Sequence, residues 1–403
     1  MRTSSKTPFR SSEPVRARDS EPLSAELEVF VSRFNLPERR EVRRLVRSSS
    51  RLADLARVFP GAVYAIASRR GPAASRLHAL SLVEQGAPLK SVARALDLPL
   101  WLKRLPPEAF TGPLGPLPVS ETFTRRVATR IPHSVQETAA WLETVGFATE
   151  ACSEDFALWL GEQQLYAELS EPGRSFAVLA AYAWFSGSPG TRAHQLIVVP
   201  WRAEIGFDTA LCAAKSWLNR LRLVMQLDPG VITDPWLDGG KAMGLEFVPL
   251  VDQHEIIEES HAMQNCADQY ADRLARDKCR LFSVRRAGQR IATLEIGPHP
   301  RETGVLAVTQ LKARHNMPAS LEVWQASHAW LATQTRLKRL PPMLPPERPL
   351  KAETWDDLMA PYRQKKAGAT WLPTQATLAA FNGLDADLAD LARRGGVSSW
   401  LFT

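Results

Sequence analysis

The chain is expected to fold as an α+β protein: mostly helical in its N-terminal region, mixed in the middle, and carrying a small antiparallel meander sheet flanked by helices in a C-terminal module. Three observations point there. Apolar residues recur at helical spacing from Leu23 to Phe110, period-two alternation runs through residues 281–311, and turn residues led by Gly288 punctuate that alternation. At 403 residues the chain is long for one core, so two or three units are expected.

Residues 1–22 are rich in Ser, Arg and Pro, have few large apolar groups, and are expected to stay disordered. They lack the apolar run of a secretory signal. The longest apolar stretch, Phe176 to Phe185, is about half of a membrane span. Four cysteines (Cys152, Cys212, Cys266, Cys279) contain no CxxC pair, which argues against a disulfide framework and fits a reducing compartment. A cytoplasmic protein without a membrane partner is expected.

Residues 23–118 form a basic helical region. Residues 1–70 hold 15 Lys and Arg against 8 Asp and Glu, a surplus of seven that equals the net charge of the whole chain. Between Glu38 and Arg57, Val42, Leu45, Val46 and Leu52 mark an apolar stripe, with Arg40, Arg43, Arg44, Arg47 and Arg51 on the other side. Such a row can follow a phosphate backbone, or it can be the solvated face of an amphipathic helix. Residues 82–110 loosely suggest a helix-turn-helix, with Ala93 at the small-residue position but Asp97 where glycine is usual; a plain helical hairpin is the competing reading. GPLGPLP at 112–118 reads as a linker or rigid turn.

Residues 119–250 mix helices with short strands. Val135–Val145 and Thr209–Met225 have helical apolar spacing, whereas Phe176–Phe185 and Leu196–Trp201 are buried strands or short buried helices. No P-loop, GxGxxG, HExxH or GxSxG occurs, so the usual nucleotide, zinc-protease and serine-hydrolase readings lose their main support.

Residues 251–334 read as helix, three-stranded meander, helix: strands at Leu281–Arg285, Arg290–Ile296 and Val305–Leu311, a basic turn at 312–318, then a helix that Ser320 can cap. Residues 335–403 form a proline-rich extension with short helices near Asp356–Tyr362 and Leu384–Arg393. Cys266 has two alternative settings. With Asn265 as N-cap, the thiol sits in a first helical turn that favours the thiolate. In a helix begun near Ile256, Cys266 is a small core residue beside Met263, Tyr270 and Leu274, and His261 lies too far round to serve as its base. Gln310 falls on the apolar phase of its strand with Leu306 and Val308, opposite Glu295 and Thr293, and so needs polar partners or a pocket. Lys312, Arg314, His315 and Asn316 share one turn suited to phosphate or to solvent. His254, His261, Cys266 and Cys279 lack zinc spacing; neither a metal nor a cofactor is expected.

The strings MQNCADQY (263–270), LFSVRR, IATLEIG and QLKARHNMP (310–318), with Trp324 or Trp330 in the last helix, resemble the PcfJ-like family of bacterial conjugative plasmids and phages. The resemblance covers about a fifth of the chain, a domain-sized piece. It departs at Asn265, where the family often has His, which removes the nearest base for Cys266. The resemblance implies an accessory protein of a mobile element, with other proteins of that element as partners. The charge placement adds contact with DNA or RNA through the arginine stripe, Lys312 and Arg314. Two alternatives stand beside it: a cysteine-dependent enzyme using Cys266, Gln310 and Asn316, and an interaction scaffold, which the proline-rich tail and twelve tryptophans would suit.

Overall fold

The computed structural model describes residues 23–127, 129–165, 172–227, 234–302, 304–334, 350–366 and 369–398. The expected disordered tail 1–22 and the proline-rich stretch 341–349 lie outside them. The chain divides into two compact units, 1–146 and 147–403. Both helices and an open antiparallel sheet are present, so the α+β class holds.

In the first unit, α1 (Ala25–Ser32) starts under a Ser24 cap, with Glu26 and Glu28 in its positive first turn. α2 (Leu36–Ser48) follows an Asn35 cap. The single helix expected over Glu38–Arg57 is broken at Ser49. That residue is extended and its hydroxyl accepts from Leu52 N–H, opening α3 (Ser50–Val58). Three consecutive serines allow the break, because serine hydroxyls compete for backbone groups. α4 (Pro60–Ala67) is buried along its whole length and carries the core, with Tyr64 stacked on Phe110 at 5.3 Å. An added side chain at Gly61 would meet the Phe110 ring at 2.9 Å, so only glycine admits this approach.

α5 (Ala73–Glu84) and α6 (Leu89–Ala95) form a hairpin around Gly86, whose φ is 71°. Asp97 supplies a left-handed turn (φ 52°), yet only a 3₁₀ segment, Leu100–Arg104, follows it, with Trp101 and Leu102 buried. No exposed recognition helix follows, so the hairpin reading holds over helix-turn-helix. GPLGPLP is a docked segment rather than a loose linker. Its Gly112 and Gly115 carbonyls accept from Tyr64 and Arg70, and the Pro118 carbonyl accepts from Trp101. α7 (Glu121–Val127) and α8 (Val135–Ala151) follow, and the division between the units falls within α8.

The second unit contains α9 (Glu154–Gly161), α10 (Pro172–Ser175), α11 (Ala177–Ser186), α12 (Arg192–Gln195) and α13 (Phe207–Gln226). The apolar run from Phe176 to Phe185 resolves as α11, buried on nearly every side. Leu196–Trp201 is neither buried strand nor helix: it is irregular, and Val199 is 42% exposed. Pro200 has no N–H for a ladder. The backbone here pairs with side chains instead, Leu196 O with Arg220, Val199 O with Tyr182, and Trp201 N–H with Ser186.

The sheet has five strands in sequential antiparallel order: β1 (Gly240–Ala242), β2 (Leu245–Leu250), β3 (Arg280–Arg286), β4 (Gln289–Pro298) and β5 (Leu306–Ala313). Two more strands are present than the meander expected from sequence, and the sheet begins upstream of residue 251. Met243–Gly244 and Ala287–Gly288, all with positive φ, close two-residue hairpins. Between β2 and β3 the chain inserts α14 (Gln253–Met263), a 3₁₀ segment Ala267–Tyr270, and α15 (Ala271–Ala275). α16 (Leu321–Ala332) covers the opposite face; Ser320 precedes it, but its side chain makes no cap hydrogen bond. α17 (Ala352–Lys365) and α18 (Leu378–Arg394) complete the unit. Among the described residues, no helix is long and apolar enough to cross a membrane.

The two faces of the sheet differ in chemistry. Phe247, Phe282, Val284, Leu294, Ile296 and Leu311 pack on Val323, Ala326 and Trp330 of α16. The other face mixes an apolar patch (Leu250, Ile256, Leu274, Cys279, Leu281) with a cluster of buried polar groups.

Candidate functional site

One β-bulge brings Gln310 and Lys312 onto the polar face of the sheet. Glu295 pairs with Gln310 while Ile296 pairs with Val308, so Thr309 is the extra residue. The bulge shifts the side-chain phase. Leu306 and Val308 face α16, then Leu311 and Ala313 do, and Gln310 and Lys312 turn to the Glu295 side. The sequence expectation that Gln310 shares the apolar face is therefore corrected.

Glu295 is almost fully buried and accepts both guanidinium ends of Arg273, the Tyr270 hydroxyl at 3.0 Å and the Thr309 hydroxyl at 2.7 Å. The Tyr270 hydroxyl also meets the Gln310 amide. The atom it meets is Gln310 Oε1, and a phenol has one proton, so the hydroxyl donates to Glu295 or to Gln310 but not to both at once. Burial first, and then the Glu295 charge, push the Tyr270 phenol well above its ordinary range. Arg273 also lies over the Tyr270 ring, 5.1 Å from its centre.

A second chain of bonds begins at Arg290. It pairs with fully buried Glu259, which accepts from Thr293, whose hydroxyl accepts from the Asn265 amide at 2.7 Å. The Asn265 side-chain Oδ1 accepts from Ala267 N–H, so Asn265 does cap the turn holding Cys266. Neither expected setting of Cys266 is complete, however. α14 starts at Gln253 but stops at Met263, because Gln264 is left-handed (φ 48°). Cys266 precedes a four-residue 3₁₀ segment too short for an appreciable helix dipole.

Its thiol lies 3.6 Å from Asn316 Oδ1. Burial and then the Asp268 charge push the thiol up, outweighing Lys312 and Asn316. The thiolate that the helix-N-terminus alternative would favour is thus disfavoured. Cys266, Gln310, Asn316 and Lys312 do line one pocket with Tyr270, Thr293 and Glu295, but its interior of about 20 Å³ admits roughly one water. As it stands, this is a latch more than a reaction chamber.

The latch holds the basic turn. Met317 N–H bonds to Arg314 O and Ala313 N–H to Met317 O, with His315 (φ 59°) and Asn316 (φ 57°) both left-handed. This is the backbone of a type I′ hairpin turn, built on two non-glycine residues that tolerate it. Arg314 and His315 are exposed at its tip, and Lys312 is half-buried beside Cys266.

Of the arginine stripe, Arg40, Arg43, Arg44 and Arg47 lie along α2, but the break at Ser49 removes Arg51 to α3, where its guanidinium lies over Gly86. Arg43 pairs with Glu28, and Arg44 with Glu41. Arg40 and Arg47 are exposed, with no ion pair among the described residues. Nor does any group of three His, Cys, Asp or Glu side chains there have the arrangement of a metal site.

Sequence reasoning missed Arg273, Glu259 and the pair Arg220–Asp268, buried together with Nε and Oδ2 3.3 Å apart. Burial pushes the Asp268 carboxyl up to about 6, against the lowering effects of Arg220 and a Ser260 hydrogen bond. The folded state therefore binds more protons than the unfolded state between about pH 4 and pH 6. Stability attributable to Asp268 is expected to fall as pH rises through that window, by an amount on the order of 2–3 kcal/mol, and to level off above it. Urea unfolding of wild type and Asp268→Asn across pH 4–8 checks this; a difference between the two that does not vary with pH would refute it.

No family model, curated protein or solved structure matches the chain.

Proposed function

We propose that the chain is a PcfJ-like accessory protein of a bacterial mobile element and that its first unit contacts nucleic acid. The observation that carries the nucleic-acid reading is where the charge sits. Residues 1–146 hold 23 Lys and Arg against 14 Asp and Glu, whereas residues 147–403 hold 27 against 29. The whole surplus lies in one helical unit, a distribution suited to one polyanionic partner rather than to general solubility. Within it, Arg40, Arg44 and Arg47 stand at i, i+4 and i+7 on the exposed side of α2, spanning about 10 Å of helix. The PcfJ-like part rests on the strings around Cys266 and 310–318. The cysteine-enzyme alternative keeps the convergence of Cys266, Gln310 and Asn316 in its favour, but a raised thiol and a one-water pocket weigh against it.

Wild-type protein is expected to bind fluorescent DNA or RNA oligonucleotides with an affinity that falls steeply between 50 and 200 mM salt. The triple variant Arg40→Glu, Arg44→Glu, Arg47→Glu is expected to lower the slope of log K against log salt by roughly 2–3. Absence of binding by wild type at 50 mM salt would remove the reading.

A further inference from the structure

Beside the Cys266 pocket lies a larger cleft, and Asn265 lines both. Its volume of about 270 Å³ gives room for several waters where its neighbour admits one. Val198 and Ala213 form apolar wall, while His261, Gln264 and His315 bring imidazole and amide groups to its edge. The cleft is lined by no carboxylate. Its one cation, Arg220, is only 5% exposed and already engaged by Asp268 and the Leu196 carbonyl. An occupant therefore meets a neutral cavity with flat aromatic edges and groups that both donate and accept hydrogen bonds. Anionic charge on that occupant would have to lie outside, and exposed Arg314 adjoins His315 in the same turn; Lys312 lines the neighbouring Cys266 pocket instead.

Backbone geometry adds an independent observation. Gln264 and His315 reach the cleft from two separate turns, and both are left-handed non-glycine residues, as is the adjacent Asn316. Gln264 ends α14 and His315 belongs to the type I′ hairpin, so two ordered turns from separate elements wall the cleft. From this we infer that the cleft binds one unpaired nucleotide, taking its base between His261, Gln264 and His315 and leaving its phosphate outside, toward exposed Arg314. A neutral planar group bearing donors and acceptors, joined to an anion, is the chemistry that matches both the cleft and its rim. The inference rests on the nucleic-acid reading and narrows it to single-stranded partners in the second unit.

The test uses the full chain, with AMP, GMP, CMP and UMP as probes in calorimetry, and single- and double-stranded oligonucleotides in fluorescence anisotropy. At least one mononucleotide is expected to bind saturably. Ala213→Trp, which fills the cleft, is expected to weaken that binding at least tenfold and to leave duplex binding unchanged. His261→Ala, at an exposed position, and His315→Asn, which keeps a residue tolerant of positive φ, are each expected to weaken it several-fold. No saturable binding of any mononucleotide, or binding unaltered in all three variants, overturns the inference. Mononucleotide binding that persists while the α2 triple variant leaves oligonucleotide affinity unchanged would remove the α2 reading and keep the cleft. Oligonucleotide binding that depends on α2 but ignores the cleft variants would do the reverse.

Discussion

Replacing Arg273 with alanine is expected to destabilise the second unit by about 3–5 kcal/mol, the cost of stranding a buried charge by removing its partner. The two ends of the Arg273–Glu295 pair are not equivalent. The Arg273 side chain is 45% exposed and the Glu295 side chain 4%. Without Arg273 the carboxylate stays beneath the helices, with only Tyr270 and Thr309 as donors. Glu295→Gln instead leaves a guanidinium that can turn to water, and a neutral amide that still accepts from Tyr270 or Thr309. It is expected to cost roughly 1–2 kcal/mol, near the value of a hydrogen bond to a charged group. Urea unfolding followed by tryptophan fluorescence measures both. Equal costs for the two variants would mean that the carboxylate is not held as buried as its geometry implies. The same pair of variants bears on the basic turn: the guanidinium fixes Glu295, Glu295 fixes Tyr270, and Tyr270 meets Gln310 two residues before Lys312.

The fold class was legible because helical and alternating patterns occupy different stretches of the chain. The polar face was not, and the reason is specific. Counting by twos from Leu306 through Val308 reaches Gln310, and a bulge at Thr309 defeats that count. The signal was nevertheless present, since apolar residues change parity from Leu306 and Val308 to Leu311 and Ala313. A parity change inside one strand marks a bulge, and here it places Gln310 and Lys312 beside Glu295. Likewise Gly244, directly before the strand-like run Leu245–Leu250, was a turn signal for the hairpin of β1 and β2. Arg273 and Glu259 could not be found this way. Their partners are 22 and 34 residues away in sequence, and only the packing of α14 and α15 on the sheet brings them together. In the stripe, SSS at 48–50 stood where the helix breaks, and helical periodicity alone carried Arg51 across it.

On the opposite face, Trp330→Ala is expected to cost about 3–5 kcal/mol, the range for deleting a fully buried aromatic side chain. Trp330 is fully buried, stacks on Phe247 with ring centres 4.7 Å apart and planes within 8°, and packs on Phe282 at 4.9 Å. It thereby ties α16 to β2 and β3 at once. Its indole N–H, however, has no hydrogen-bond partner among the described residues and lies against Gly240. Burying an unpaired donor itself costs about 1–3 kcal/mol. Trp330→Phe removes that donor together with part of the ring, so the two effects oppose each other, and a net change under about 1.5 kcal/mol is expected, as for volume-tolerant core swaps. A loss for Trp330→Phe as large as for Trp330→Ala would show that the N–H is satisfied and that the indole is held for its polarity. A small loss would show that area and stacking alone secure α16. The hydrophobic face would then be a tolerant support, leaving the opposite face, with its buried charges and left-handed turns, as the part of this sheet whose chemistry is exacting.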